Sequence, residues 1–165
     1  MKELEVSLRS WLRGAKRLAI VGVGSTLRGD DGVGVQIVRL LRGRVPDWVY
    51  LVKAESVPES YIGPIVRFKP THILFIDAAD IGMKPGEARL IEPSEVVKLS
   101  FSTHTLPFSV ISGFLAASLD AKVAILGIQP KSLEFGEAIS KEVRSSAKRV
   151  VELLARFVGQ SQAGG

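Results

Sequence analysis

The chain contains no cysteine, which excludes disulfide bonds, thiolate metal ligands and cysteine nucleophiles. Asparagine is also absent and methionine occurs only twice, a usage typical of proteins from thermophilic sources. Apolar runs such as 73–76 are far too short to span a bilayer. The amino terminus lacks the basic-then-apolar order of a signal peptide. These absences predict a cytoplasmic protein without membrane insertion.

The basic residues do not form a nucleic-acid-binding patch, although the 165 residues carry a formal net charge of +5. They are scattered at helical spacing, mixed with glutamates and not interleaved with aromatic residues. This pattern is typical of solvated helix faces. The length fits a single domain, 1–165, and nothing in the pattern requires an oligomer. We therefore expect a monomer that does not bind nucleic acid.

Strand and helix patterns alternate along the chain. Apolar runs predict strands at 17–23, 48–53, 72–76, 88–91 and 122–126. Helical spacing predicts helices at 2–13, 31–41, 58–68, 107–119 and 137–157, the last with Ile139 in its apolar stripe and Gly159 as its stop. This alternation predicts an α/β fold: a three-layer, doubly wound, mostly parallel twisted sheet with helices on both faces.

A glycine-rich loop follows the first predicted strand and reads Gly-Val-Gly-Ser-Thr-Leu-Arg-Gly-Asp-Asp-Gly-Val-Gly over 22–34. Such loops normally bind phosphate through backbone N–H groups, but two carboxylates here repel an anion and attract a cation. The dinucleotide fingerprint needs a glycine where Leu27 stands, and a P-loop needs Lys and Ser or Thr in place of Asp30 and Asp31. We therefore expect no organic cofactor.

Acidic residues are predicted at the carboxyl edge of the sheet, where such folds bind their ligands. Asp30 and Asp31 follow the first strand, and Asp77 follows the third, with Asp80 close behind. Neighbouring first and third strands would bring Asp31 and Asp77 together. His104, in a polar loop before a helix, would complete a facial site of one nitrogen and two oxygen ligands.

Simpler interpretations of these residues stay open from the sequence. Asp30 or Asp31 can act as the amino-terminal cap of the next helix, and Asp77 and Asp80 can be turn residues at a strand end. His104 can be a solvated loop histidine. His72 opens a strand and is interpreted as structural.

Four segments in order closely resemble the hydrogenase maturation endopeptidases, in the branch that serves membrane-associated, formate-hydrogenlyase-type nickel–iron hydrogenases. They are 22–34, 75–87 (Phe-Ile-Asp-Ala-Ala-Asp-Ile-Gly-Met-Lys-Pro-Gly-Glu), 102–107 (Ser-Thr-His-Thr-Leu-Pro) and 126–130 (Leu-Gly-Ile-Gln-Pro). The resemblance runs from about Arg17 to Phe157. It implies a protease core at 17–158 and an extra amino-terminal helix within 1–16.

The resemblance implies a peptidase, and therefore a hydrolase, that removes the C-terminal extension of the hydrogenase large-subunit precursor after nickel insertion. Substrate-bound nickel would be the recognition signal. The family's three metal-contacting residues fall on Asp31, Asp77 and His104, and Asp31 is the catalytic candidate. No separate substrate-binding residue is assigned. The family usually has asparagine where this chain has Ser25, so any role of an amide there is in doubt.

Two other functions remain open from the sequence. One is a metal-independent, aspartyl-peptidase-like enzyme that uses Asp31 and Asp77 as a carboxylate pair. It would cleave metal-free substrate at low pH. The other is a nickel-sensing chaperone or scaffold that binds the precursor without cutting it.

Overall fold

The computed structural model describes residues 1–98, 100–101 and 108–160. The helices are α1 (Lys2–Trp11), α2 (Val33–Leu41), α3 (Ile62–Phe68), α4 (Phe108–Leu119) and α5 (Lys141–Gln160). The strands are β1 (Leu18–Val23), β2 (Val49–Glu55), β3 (His72–Asp80), β4 (Ala88–Ile91), β5 (Ser100–Phe101) and β6 (Lys122–Ile128). Short 3₁₀ segments lie at Gly29–Gly32, Pro58–Tyr61 and Pro93–Lys98.

The strands form one mixed sheet in the order β2-β1-β3-β6-β4. Pairing is parallel from β2 to β6, whereas β4 runs antiparallel to β6 at the edge and β5 pairs antiparallel with the end of β3. Strand β2 lies on one side of β1, and the next strand along the chain, β3, lies on the other side. This reversal creates a crevice beyond the carboxyl ends of β1 and β3, the position where such folds bind ligands.

Helices cover both faces of the sheet. On one face α1, α2 and α5 bury an apolar cluster that includes Leu8, Ile37 and Leu154. On the other face α3 and α4 bury a second cluster that includes Ile65 and Phe108. Strand β1 is apolar throughout and β3 is apolar from Ile73 to Ile76, because both faces of these central strands are buried. The predicted three-layer α/β fold is confirmed.

The amino-terminal helix is part of the core. α1 buries Leu4, Leu8 and Trp11, and the Trp11 ring meets the ring of His72 edge-on, with 5.0 Å between centroids. His72 is buried at the start of β3, with Nδ1 3.0 Å from Thr71 Oγ1. Burial, and then the charge of Lys122, lower the pKa of His72, which favours its neutral form. These contacts give His72 the structural role expected of it.

Within the described ranges, none of the helices has both the length and the apolar character needed to cross a bilayer.

Several predicted element bounds are wrong at functional segments. The helix predicted from 31 begins at Val33, because Asp31 lies in a 3₁₀ segment, and the strand predicted to end at 126 runs to Ile128. β3 was expected to end at 76 but runs to Asp80, because β6 accompanies it to Ile128 and β5 adds a pairing at Ala79 and Asp80. Asp77 and Asp80 therefore lie within a strand instead of following one. The last helix was expected to start at 137 but begins at Lys141, so Ile139 precedes it.

Gly159 does not stop the last helix as predicted. α5 includes Gly159 and runs to Gln160. An added Cβ at this glycine would meet nothing within 4 Å among the described residues, and its φ lies outside the left-handed region that glycine stops adopt.

Candidate active site

The glycine-rich loop places two acidic residues in the crevice between β1 and β3. The loop leaves β1 after Val23, forms the 3₁₀ segment Gly29–Gly32 and enters α2. Gly24 has a φ of +122°, which L side chains rarely adopt. A Cβ on Gly24 would collide with the Asp31 carbonyl oxygen and would lie 3.2 Å from Asp77 Oδ1. Gly24 therefore allows the backbone of Asp31 and the side chain of Asp77 to approach one another.

Asp31 and Asp77 are both fully buried. Asp31 Oδ2 accepts a hydrogen bond of 2.8 Å from the Ser25 N–H. Asp77 Oδ1 accepts one of 2.8 Å from the Ala78 N–H. Each carboxylate is thus oriented by a backbone donor on its own loop or strand.

The electrostatics of this pair favour a cation. Burial, and then the negative charge of Asp31, raise the pKa of Asp77 well above its usual range, and the Ala78 N–H only partly offsets this. A positive charge between the carboxylates would remove the repulsion between them and replace lost solvation. Carboxylate oxygens are suitable ligands for a divalent metal, so the two residues fit one side of a metal-binding site.

The third predicted ligand, His104, lies outside the described residues. The structure therefore brings Asp31 and Asp77 together and gives no position for His104. Within residues 1–98, 100–101 and 108–160, no group of three or more His, Cys, Asp or Glu side chains is arranged to hold a metal ion.

Asp30 has a different environment from Asp31 although the two are adjacent. Its carboxylate is buried and accepts hydrogen bonds from the backbone of the segment 131–140. Oδ2 accepts from Lys131 N at 2.8 Å, Ser132 N at 3.2 Å and Ser140 Oγ at 3.0 Å, and Oδ1 accepts from Ser140 N at 2.6 Å. Asp30 thereby attaches a distant segment to the loop that carries Asp31.

Asp30 also binds the residue that precedes α5. Ser140 is the residue before α5, and its Oγ lies 3.4 Å from the Val143 N–H in capping geometry. The Ser140 N–H, which a glutamate at the third helical position satisfies in a capping box, instead donates to Asp30. A carboxylate at the start of a helix also interacts favourably with the helix dipole. The two aspartates do not cap α2, whose cap position is Gly32.

We expect Asp30→Asn to lower the free energy of unfolding by about 2–4 kcal/mol, because an amide NH₂ would face N–H donors that lose their acceptor. Chemical denaturation followed by circular dichroism measures this change. Asp47→Asn, at an exposed aspartate, is the matched control and should change stability by about 0.5 kcal/mol or less. Equal stability of the two variants would show that Asp30 does not anchor the segment 131–140.

Ser25 supports the site through its backbone. Its N–H binds Asp31, and its Oγ accepts a hydrogen bond from Leu27 N at 3.2 Å. Both interactions suit a short polar side chain in a turn, and asparagine makes the same local bond. The bond that orients Asp31 comes from the backbone N–H of residue 25, so it does not depend on the Ser25 side chain.

Asp80 is the exposed last residue of β3, and its side chain binds the turn that follows the strand. Its Oδ1 accepts from Gly82 N at 3.3 Å and from Gln129 Nε2 at 3.4 Å. Gln129, in the segment 126–130, uses its Oε1 to accept from the N–H groups of Ile81 at 2.8 Å and Met83 at 3.3 Å. The structural roles of Asp30 and Gln129 were missed from the sequence, since their partners are distant backbone groups that carry no sequence signal.

Comparison with known proteins shows the family of this chain. A family model described as hydrogenase maturation protease matches residues 35–157. A putative hydrogenase maturation protease of Methanocaldococcus jannaschii is 39% identical over 166 residues, covering 96% of each chain. The hydrogenase 3 maturation protease of Escherichia coli K12 is 30% identical over 139 residues, covering 83% of this chain and 88% of the relative.

The fold of a solved relative agrees closely. The crystal structure of the nickel–iron hydrogenase maturation protease HycI from Thermococcus kodakarensis KOD1 superposes with a TM-score of 0.87 at 30% identity, covering 93% of this chain and 99% of that one. The resemblance stated from the four sequence segments is confirmed by the family match, the relatives and the fold. The chain belongs to the hydrogenase maturation protease family and is a peptidase that acts in hydrogenase maturation.

Proposed function

We propose that this peptidase removes the C-terminal extension of a nickel–iron hydrogenase large-subunit precursor after nickel insertion, and that it recognises the nickel held by that substrate. The observation that carries the proposal is a pair of fully buried carboxylates: Asp31 in the loop after β1, and Asp77 in β3, one residue past its last pairing with β1. The pair fits a cation and sits where α/β sheets bind ligands.

The ligand set supports a metal that arrives with the substrate. Two carboxylates leave most positions around a nickel ion open, and the chain has no cysteine to fill them. Thiolates of the precursor would occupy those positions. The protein would then contact nickel only when a loaded precursor is present, so that premature cleavage is avoided.

We assign His104 as the third contact. β5 ends at Phe101, three residues before His104, and Phe101 pairs with Ala79 of β3. The backbone at Phe101 therefore lies beside β3, the strand that carries Asp77. Asp77 precedes Ala79 by two residues. An imidazole from the following segment would add the nitrogen ligand that nickel accepts alongside carboxylates.

The chemistry assigned to Asp31 is that of peptide-bond hydrolysis. A water oxygen attacks the scissile carbonyl carbon, the C–N bond breaks, and the leaving nitrogen takes a proton. Bound nickel would polarise that carbonyl. Asp31 would orient the attacking water and accept its proton, while the Ser25 N–H fixes the carboxylate in place.

The experiment is a processing assay on purified precursor, loaded with nickel or kept nickel-free, with the products identified by mass spectrometry. We expect release of a C-terminal peptide from the loaded precursor alone. Cleavage of both forms with an acidic optimum would favour the metal-independent carboxylate pair. Binding of the precursor without cleavage of either form would favour a scaffold role.

We further propose that the protein works in the cytoplasm as a monomer and comes from a thermophilic source. The absence of thermolabile asparagine supports a thermophilic source, the absence of cysteine suits a compartment without disulfide bonds, and nothing in the sequence pattern requires an oligomer.

A further inference from the structure

The segment 131–137 and the glycine-rich loop form one continuous surface beside the candidate active site. Gly136 N donates to the Leu27 carbonyl at 2.8 Å, Asp30 N donates to the Ser132 carbonyl at 2.9 Å, and Gly29 N donates to the Glu137 carbonyl at 3.2 Å. The Asp30 carboxylate adds the bonds to Lys131, Ser132 and Ser140 described above. The two segments are therefore held together by backbone and carboxylate contacts, while Leu133 of the second segment packs against the core cluster of α1, α2 and α5.

Two large apolar side chains project from this joined surface into solvent. Phe135 is 77% exposed, the highest value among large apolar residues in the described part of the chain, and Leu27 is 63% exposed. The surrounding exposed residues are charged and of both signs: Arg28, Lys131, Glu134 and Glu137. An exposed apolar centre with a polar rim is the composition of a protein-docking surface.

We propose that Leu27 and Phe135 form a docking surface for the large-subunit precursor, contacting an apolar patch on its folded body beside the C-terminal extension. This inference rests on the proposed function. Leu27 lies four residues before Asp31 in the same loop, so a body seated on this surface would present its adjoining chain to the buried carboxylates. Contact at Phe135 would thus supply binding energy away from the scissile bond.

The size of the surface favours a transient substrate over a second copy of this chain. A stable dimer buries about 800 Å² on each partner. An aromatic side chain buries about 150–250 Å² at most, so Phe135 with Leu27 falls well short of that area. A peptidase must release its product, and a small apolar contact suits that requirement.

The test compares Phe135→Ser and Leu27→Ser with Val6→Ser, which removes a 69% exposed apolar side chain from α1 and serves as the matched control. Processing rates are measured against precursor concentration, and precursor binding is measured separately by biolayer interferometry. We expect Phe135→Ser to raise KM and Kd about 5–30-fold, which is the usual effect of truncating an energetically important interface residue. Leu27→Ser should raise both by a smaller factor. The maximal rate and the thermal midpoint should stay at the Val6→Ser values.

KM and Kd within twofold of the control would overturn the inference. A change in sedimentation from dimer to monomer on Phe135→Ser, without a change in Kd, would also overturn it and assign the surface to self-association. The binding measurement tests the docking surface independently of nickel recognition. If loaded and nickel-free precursor are cleaved alike, the nickel signal fails, while a raised Kd for Phe135→Ser still supports docking.

Discussion

Asp31→Asn is expected to reduce processing of nickel-loaded precursor by about 100-fold or more, the usual contribution of a positioned acid–base group. The asparagine carbonyl can still accept the Ser25 N–H, so the loop keeps its shape while the site loses a negative charge. Both roles assigned to Asp31, holding the metal and activating water, need that charge.

The control for Asp31 is Asp80→Asn, which removes an exposed carboxylate from β3, the strand that also carries Asp77. Rates are followed by mass spectrometry of the released peptide. Asp80→Asn should process at the wild-type rate. Near-normal processing by Asp31→Asn would contradict the assignment of the buried carboxylates as the site.

Gly34→Ala is expected to destabilise the fold by about 3 kcal/mol, the upper part of the usual range for forced overpacking. A Cβ at this position, in the first turn of α2, would collide with the carbonyl oxygen of Ile76 and lie 2.9 Å from that of Val23. Both carbonyls belong to central strands held on either side, so neither can move away cheaply. The close crossing of α2 over β1 and β3 depends on this glycine.

Gly113→Ala is the control for Gly34→Ala, and we expect it to change the stability in the opposite direction. Gly113 is an exposed glycine inside α4, and a Cβ there meets nothing within 4 Å among the described residues. Alanine should therefore stabilise the protein by up to about 1 kcal/mol through helix propensity. Chemical denaturation measures both variants, and a Gly34→Ala variant as stable as wild type would show that α2 does not need this close approach.

The sequence predicted the features that depend on local pattern. Continuous apolar runs identified the buried strands, and the alternation of strands with helices identified the layered fold. The proximity of Asp31 and Asp77 also followed, because the carboxyl ends of neighbouring parallel strands meet at one edge of a sheet. The domain boundaries and the roles of Asp31, Asp77 and His104 stay predictions.

Features that depend on distant pairing were not predictable from the pattern. β3 continues past Ile76 because other strands accompany it, and a single apolar run does not show how far its neighbours extend. At the start of α5, the Ser140 N–H donates to Asp30, which precedes it by 110 residues. Helical periodicity predicted that Ile139 lies inside α5, because its spacing matches the apolar face of that helix. The periodicity does not show that the helix begins only after Ser140.

The bonds from Asp30 to Lys131 and Ser140 span 101 and 110 positions of the chain. During synthesis from the amino terminus, the loop that carries Asp31 is made more than 100 residues before the segment that anchors it. Contacts of such long range also form late in folding, because loop closure must precede them. The loop of the candidate active site is therefore anchored only after residue 140 has been made, and a nascent chain shorter than this is expected to be inert toward the precursor.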